Sequence, residues 1–573
     1  MAATPDSHTE VGSVRSGYKP TTLNEEPLPG TPPYTEAQTE KDTPLEVTVT
    51  EVSPAADAED ESEYPAAWKL GLITIALCLS VFCLALDNTI IATAIPRITD
   101  QFHRLDDVGW YGSAYLLTTC GVQLIFGKLY TFYSVKWVYI FALFLFEVGS
   151  VVCGATPNSL GLIIGRAIAG LGSAGVFSGA LLIVSRSVPL RQRPMYMGLV
   201  GAMYGVASVA GPLMGGAFTD KVSWRWCFYI NLPFGAVTFL FIILFLNLPE
   251  PKVAPKRLTL TQQLLSFDLE GTVLFIPGIV SLLLALQWGG SRYPWNNARI
   301  IALFVVFGVL IAGFLAVQVW KKERATVPPR IFMNRTVWSC AVFAACLGAA
   351  FFVMVYYLPI WFQAVQGTSA VGSGVKNIPM ILSLVLVSIV AGGAVSAIGY
   401  YAPFMLASTV LMAVGAGLLS TLTVDAGKGE WIGYQIVFGI GVGLGMQQTM
   451  VAVQASLVPD DVAIGTAIII FSQTLGGALF ICVAQNVFQN KLISNIAATH
   501  VEGLDPATVV TVGATQIREL IAPEVLPVVL EAYNAAITNS FYVPVALASL
   551  TIIGSAFVPW NSVKGKQIEM AAA

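Results

Sequence analysis

Three ionisable residues, Asp87, Glu147 and Arg166, stand inside otherwise apolar stretches of the chain. A charged side chain in hydrocarbon costs about 3 kcal/mol or more, so such residues are kept for a function or paired with one another. At 1.5 Å per helical residue, all three lie about 10–14 Å from the same end of their helices. Two carboxylates and one guanidinium at one depth form a group that can exchange a proton. A static ion pair that locks helices together fits the same residues.

The composition requires a membrane around these helices. Of the 573 residues, 55% are hydrophobic and 11% charged, against about 25% charged in soluble proteins, and the mean hydropathy is +0.72. Basic residues are few and scattered, which excludes a nucleic-acid partner. Residues 1–63 hold 14 acidic and 3 basic side chains, which predicts a disordered acidic tail. The sequence therefore predicts an all-α polytopic membrane protein whose partner is the lipid bilayer.

Fourteen apolar runs are long enough to cross about 30 Å of hydrocarbon. Their approximate limits are 69–94, 109–129, 137–155, 160–184, 196–217, 228–248, 269–289, 300–320, 337–361, 376–398, 402–423, 432–455, 464–487 and 540–559. The loops after spans 2, 4, 6 and 8 carry thirteen lysines and arginines, and the opposite short loops carry eight. This bias places both termini, including the tail 560–573, in the cytoplasm.

A long loop at about residues 488–539 is then predicted outside. Within it, residues 523–536 alternate apolar and polar side chains with helical spacing. The pattern favours an amphipathic helix that lies on the membrane or covers the outer mouth; a solvated loop helix without function fits equally.

Several classes of chemistry are excluded by what the chain lacks. There is no Gly-x-x-x-x-Gly-Lys-Ser/Thr run, so a P-loop does not supply ATP energy. The eight cysteines lie in or beside apolar runs and are interpreted as packing residues, and the three histidines lie outside the runs. No metal site, cofactor or cluster of nucleophile and base is predicted, so the protein is not expected to be an enzyme.

Span 5 contains the run ASVAGPLMGG at residues 207–216. Gly211, Gly215 and Gly216 allow a neighbouring helix to approach closely, and Pro212 removes a backbone hydrogen bond and bends the helix. This run predicts a tight, kinked seam between two halves of the protein.

Five motifs resemble the fourteen-span drug:proton antiporters of the major facilitator superfamily. They are residues 86–96 (LDNTIIATAIP), 166–172 (RAIAGLG), 207–216 (ASVAGPLMGG), 224–233 (WRWCFYINLP) and 356–363 (YYLPIWFQ). The match covers nearly all of residues 68–559 and is closest to fungal toxin and secondary-metabolite efflux pumps. The loop between spans 2 and 3 departs from the family pattern: Thr131, Ser134 and Val135 replace an aspartate, a glycine and an arginine. Lys136 is left there to bind an acidic helix end.

The resemblance implies two six-helix bundles, at residues 68–249 and 336–559. Two inserted helices with their flanking loops would occupy residues 250–335. Spans 1, 4, 9 and 12 would line a central cavity that suits bulky amphiphiles. The predicted cavity residues are Asn88, Tyr356, Tyr357, Trp361, Gln447 and Gln448. Both glutamines fit equally well as helix-bridging residues.

The implied function is export of a small organic compound, such as a toxin, secondary metabolite or drug, in exchange for protons. Asp87 would carry the proton, and Arg166 would tune the pKa of Asp87. Glu147 would be a further proton-coupling residue. The protein would be a monomer in the plasma membrane, with a vacuolar or vesicular membrane as the alternative. An importer or uniporter of the same fold, and a transporter-like metabolite receptor, are the competing functions.

Overall fold

The computed structural model describes residues 65–103, 107–247, 268–290, 293–499 and 521–563. The predicted tail of residues 1–63 lies outside them, as do residues 564–573 and most of the loop before span 7. Helices dominate the described residues, which confirms the predicted all-α class.

Fourteen long helices occupy the described residues, one for each predicted span. They are α1 (Ala67–Phe102), α2 (Val108–Phe132), α3 (Val135–Ala155), α4 (Ser159–Ser187), α5 (Arg193–Lys221), α6 (Asn231–Phe245), α7 (Leu269–Trp288), α8 (Ala298–Lys321), α9 (Arg335–Ala364), α10 (Ile378–Ile398), α11 (Ala402–Leu419), α12, which is divided into α12a (Lys428–Gly445) and α12b (Gln448–Ser456), α13 (Val462–Ala498) and α14 (Leu526–Phe557). We call the end of the molecule at which α1 begins the near end, and the opposite end the far end.

Thirteen of the helices in the described residues are long and apolar enough to cross a membrane, and α2 is not among them. Its sequence includes two adjacent threonines whose hydroxyl groups bind the backbone of α4. Thr118 Oγ1 donates to the Ala167 carbonyl at 2.9 Å, and Thr119 Oγ1 donates to the Gly170 carbonyl at 3.0 Å. These two hydroxyl groups therefore bind the neighbouring helix as well as the Ala114 and Tyr115 carbonyls of α2 itself.

The helices form two bundles with an inserted hairpin. In the first bundle α1 packs on α5 and α6, and α4 packs on α2 and α3. In the second, α9 packs on α13 and α14, and α12a packs on α10 and α11. The inserted helices α7 and α8 pack on each other, and α7 also touches α2 and α13.

The two bundles meet along α5 with α10 and along α2 with α13. At the near end this seam is packed backbone to backbone. A Cβ atom on Gly127 of α2 would collide with Ala467 of α13, and one on Gly392 of α10 would collide with the Pro194 carbonyl of α5. Small residues thus hold the bundles in direct contact at the near end.

A buried carboxylate closes the inserted hairpin at the near end. Asp268 caps α7 by accepting from Gly271 N at 2.9 Å, and it also accepts from Gln318 Nε2 of α8 at 2.7 Å. Thr326 N donates to it at 2.9 Å, and Lys321 Nζ lies 3.2 Å away. Burial raises the pKa of Asp268, but the hydrogen bonds from Gln318, Thr326 and Gly271 outweigh burial, so its pKa lies below the usual value.

The connector between α8 and α9, residues 322–334, touches both bundles. Lys128 Nζ of α2 donates to the Arg324 carbonyl at 2.9 Å. Arg330 binds Asp461, the residue before α13, through two hydrogen bonds of 2.8 and 3.1 Å. The connector therefore joins α2 to α13 at the near end.

Three details differ from the sequence-based expectations. Helix α13 continues to Ala498 and α14 begins at Leu526, so the loop predicted at 488–539 is shorter. The surface helix predicted at 523–536 is wrong, because Val529 and Tyr533 are buried in the first turns of α14. Lys136 Nζ donates to the Ile243 carbonyl of α6 at 2.7 Å, so it caps a helix of its own bundle.

Candidate functional site

Arg166 and Asp87 form an ion pair in the first bundle. The Arg166 guanidinium binds Asp87 Oδ2 through Nη1, and each residue is 1% exposed. Arg166 Nε donates to the Tyr111 carbonyl at 2.7 Å, and its guanidinium carbon lies 4.4 Å from the centre of the Tyr115 ring. The structure thus brings together two of the residues that were singled out for proton exchange.

Glycines of α4 allow the arginine to reach this position. A Cβ atom on Gly170 would collide with the Tyr115 carbonyl of α2, and one on Gly172 would collide with the Phe146 backbone of α3. Helix α4 therefore lies against both neighbours at backbone distance. This contact explains why small residues follow the arginine in residues 166–172.

A third polar residue contacts the carboxylate and was not assigned a role from the sequence. Asn231, at the start of α6, is 0% exposed, and its Nδ2 donates to Asp87 Oδ1 at 3.4 Å and to Ser150 Oγ at 3.2 Å. Asn231 lies in the motif at residues 224–233, but a neutral residue near the end of a span carries no signal of burial beside a charge.

Glu147 occupies the α3–α6 interface, where it packs against Gly235. Both of its carboxylate oxygens are buried, and neither has a hydrogen-bond partner in the described part of the chain. Asp87 interacts with it electrostatically. The structure therefore places Glu147 close enough to influence the ion pair, without a direct bond to it.

The glycine–proline run of α5 packs against α1. A Cβ atom on Gly211 would collide with Thr89, whose Oγ1 donates to the Ala207 carbonyl at 3.1 Å. On another side of α5, Pro212 packs against Gly374 in the short helix Ala370–Lys376, and Gly216 faces Val371 of the same helix. Gly215 is buried. The run therefore contacts α1 at Thr89, two residues after Asp87, and it also contacts the second bundle.

The aromatic residues predicted for the cavity differ in their surroundings. Tyr356 is 51% exposed, whereas Tyr357 is 1% and Trp361 is 0% exposed. Trp361 Nε1 donates to Asn534 Oδ1 of α14 at 2.6 Å. Asn88 is half-buried, and its Nδ2 donates to the Leu84 carbonyl at 3.2 Å. Tyr357 and Trp361 thus pack inside the second bundle, and Tyr356 and Asn88 keep accessible surface.

Gln447 and Gln448 lie where α12 is interrupted between α12a and α12b. Both are buried, at 3% and 1% exposure. The Gln447 amide packs against Gly201 of α5, so it crosses from the second bundle to the first. The glycines before the break are packing positions, since Gly439 meets α10 and Gly441 meets α11.

Two cavities lie away from these residues. One, of about 380 Å³, is bordered by Leu286, Trp295 and Asn486, between the inserted hairpin and α13. The other, of about 450 Å³, is bordered by Ile75, Phe82 and other residues of α1, α5 and α6. Neither is lined by Asp87 or by a predicted cavity residue.

Two bundles, an inserted hairpin and a buried ion pair within many membrane-length helices define a multi-pass membrane transporter. The sequence model of the Major Facilitator Superfamily matches residues 77–481. The chain belongs to this superfamily, as the motifs predicted.

Relatives of this chain share most of its length. It is 55% identical over 559 residues to "MFS-type transporter astH" of Aspergillus oryzae, covering 97% of each chain. It is 58% identical to "MFS-type efflux pump MFS1" of Arthroderma benhamiae, over 93% of this chain and 100% of that one. Among solved structures, the proton:xylose symporter XylE is similar at 14% identity and a TM-score of 0.54, over 87% of this chain and 97% of that one. The last similarity supports the fold.

Proposed function

We propose that the protein is a secondary active efflux transporter. It exports a small, bulky amphiphilic organic compound across the plasma membrane in exchange for protons, with both termini in the cytoplasm. The observation that carries the proposal is the Asp87–Arg166 pair, which is sealed from solvent inside the first bundle. Relatives named efflux pumps, 58% identical in one case, support the direction of transport.

The mechanism follows from the charge of the pair. A buried carboxylate that faces a guanidinium is held charged by it, and loses much of that attraction when a proton binds. Protonation of Asp87 from the acidic outside frees Arg166, and deprotonation towards the cytoplasm restores the pair. Glu147 adds a second carboxylate, whose negative charge would repel that of Asp87.

The protein converts this exchange into movement through α1 and α5. Asp87 and Thr89 lie two residues apart on α1, and Thr89 binds the Ala207 carbonyl of α5 at 3.1 Å. Helix α5 in turn lies along α10 of the second bundle. A change in charge at Asp87 can therefore reach the seam between the bundles through two contacts, first from α1 to α5 and then from α5 to α10. The bundles would rock against each other along this seam.

The substrate would bind between the bundles, where Gln447 crosses from α12 to Gly201 and Tyr356 and Asn88 keep exposed surface. Amide and phenol groups beside apolar helix faces suit an uncharged amphiphile. This assignment of the cavity residues is part of the proposal.

The test uses inside-out membrane vesicles loaded with acid and supplied with a panel of lipophilic compounds. We expect the wild-type protein to accumulate its substrate inside, and a protonophore to stop this. Asp87→Asn keeps size and hydrogen bonding but cannot exchange a proton, so it should abolish gradient-driven uptake at an unchanged protein level. Asp425→Asn, at an exposed loop carboxylate, is the matched control and should transport normally.

Each competing function has its own outcome in this assay. Uptake that ignores the pH gradient indicates a uniporter, and movement of substrate in the opposite direction indicates an importer. Binding without movement indicates a receptor. Normal coupling in the Asp87→Asn protein would leave the ion pair with a static structural role.

A further inference from the structure

Asn231 is the one neutral side chain that donates to the Asp87 carboxylate in the described residues. The Asp87 carboxylate is bonded on both oxygens, with Arg166 on Oδ2 and Asn231 on Oδ1. Asn231 is also tied to α3 through Ser150 Oγ at 3.2 Å. Its amide therefore fixes the distance between the carboxylate of α1 and the neighbouring helix.

The oxygen atom of the same amide is an unused hydrogen-bond acceptor within the described part of the chain. Asn231 Oδ1 is buried and has no hydrogen-bond partner among the residues described here. A buried acceptor left unpaired is unfavourable for folding, so stability alone does not account for an asparagine at this place. An amide can donate to a carboxylate and accept from a carboxylic acid. The contact that the structure shows, from Nδ2 to Asp87 Oδ1, is the one that favours the charged carboxylate.

Other ionisable groups surround Asp87 without replacing this contact. Among the described residues, those that interact electrostatically with Asp87 are Cys83 of α1, Tyr115 of α2, Glu147 and Cys153 of α3, Arg166 of α4 and Cys227 before α6. Tyr204 of α5 lies beyond Tyr115. Within the described residues, the carboxylate oxygens accept from Arg166 and Asn231 alone.

We propose that Asn231 is a positioning residue for proton exchange. It holds Asp87 opposite Arg166 by donating to the charged carboxylate, and this hydrogen bond favours the charged form over the protonated one. Asn231 thereby sets the pH at which Asp87 takes up its proton. The inference rests on the proposed function, in which Asp87 is the proton carrier.

The test is an infrared pH titration of purified protein, in which the carboxyl band missing from Asp87→Asn identifies Asp87. Asn231→Ala removes a donor to the charged form, so the protonated form gains and the midpoint should move up by about one pH unit. Asn231→Leu removes the same groups while filling the volume, and should move the midpoint equally. Thr238→Ala truncates another fully buried residue of α6, which bonds the Ala76 carbonyl at 3.2 Å, and should leave the midpoint unchanged.

Export in acid-loaded vesicles is measured with the same variants. Its pH optimum should move up with the infrared midpoint in both Asn231 variants. A midpoint equal to that of the wild-type protein in either variant overturns the positioning role, as does an equal shift in Thr238→Ala. Wild-type export that ignores the proton gradient overturns the proposed function instead, while the infrared midpoint still decides the role of Asn231.

Discussion

At the scale of single residues, Asp87 is bonded by two groups of different character. Arg166 provides a permanent charge and a planar fork of donors, which also reaches the Tyr111 carbonyl at 2.7 Å. Asn231 provides a neutral donor from the opposite helix. A charged and a neutral donor are therefore supplied by different side chains, and they can be altered separately.

Arg166→Lys tests the geometric part of this arrangement. Lysine keeps the positive charge beside Asp87 but cannot bind the carboxylate and the Tyr111 carbonyl through one planar group. We expect proton-driven export to fall about tenfold without being abolished, measured as initial rate at equal protein level. A rate equal to that of Asp87→Asn would contradict this, because charge alone would then be insufficient.

Glu147→Gln serves as the comparison at a third position. The Glu147 oxygens have no hydrogen-bond partner in the described residues, so the substitution removes a charge and breaks no hydrogen bond of this structure. Its effect on export should lie between those of the wild-type protein and Asp87→Asn.

At the scale of helices, the inserted hairpin depends on one carboxylate. Asp268 joins the start of α7 to the end of α8 and to the connector. Because its pKa is lowered in the folded protein, the charged form stabilises the fold above its unfolded pKa of about 4. That contribution is lost as the pH falls through this value and below it.

Asp268→Asn should weaken the hairpin even at neutral pH. The amide cannot accept all the donors that surround the carboxylate, and we expect a loss of about 2–3 kcal/mol. The measurement is the apparent melting temperature in detergent, which should fall by several degrees. Glu270→Gln removes a neighbouring carboxylate that is 62% exposed and pairs with the same lysine, Lys321, so it should change the melting temperature little. Equal falls in both variants would count against the buried network.

The sequence predicted the helices well and their contacts less well. The length of the apolar runs located every span. Asp87 and Arg166 were singled out because a charged side chain inside a membrane span is costly and therefore rare. Asn231 was missed because a neutral amide is common at the ends of spans. Its contact with Asp87 depends on the packing of α6 against α1, which the sequence does not show. The start of α14 was placed too late because Glu531 and Asn534 look solvated, whereas Asn534 receives the Trp361 hydrogen bond.

At the scale of the whole molecule, the connector of residues 322–334 contacts both bundles at the near end. The loop between α2 and α3 lacks the charged residues typical of its family, yet Lys128 in the same region binds the connector at 2.9 Å. Arg330, in the same connector, binds Asp461 of the second bundle. Among the described residues, the near end is thus bridged by small residues at the seam, by the Arg330–Asp461 pair, and by Arg191, whose Nε donates to the Ser396 carbonyl of α10 at 3.3 Å.

Breaking the Arg330–Asp461 pair should ease opening at the near end. Asp461→Asn removes the charged partner of Arg330, which is half-exposed and so contributes about 1 kcal/mol or less. A thiol introduced by Ala467→Cys, which faces Gly127 at the seam, should then react several-fold faster with a permeant reagent. Asp461→Arg combined with Arg330→Asp should restore the slow rate. An unrestored rate in the double variant would show that the pair itself does not hold the seam.

The threonines of α2 bear on how the chain is made. A helix of lower hydropathy gains less from entering the bilayer alone than its more apolar neighbours do. The hydroxyl groups of Thr118 and Thr119 have acceptors in α2 itself and further acceptors on α4, which is synthesised about fifty residues later. The contacts of α2 with α4 can therefore form only after α4 has been synthesised, and we expect the packing of α2 in the first bundle to be completed after its own insertion.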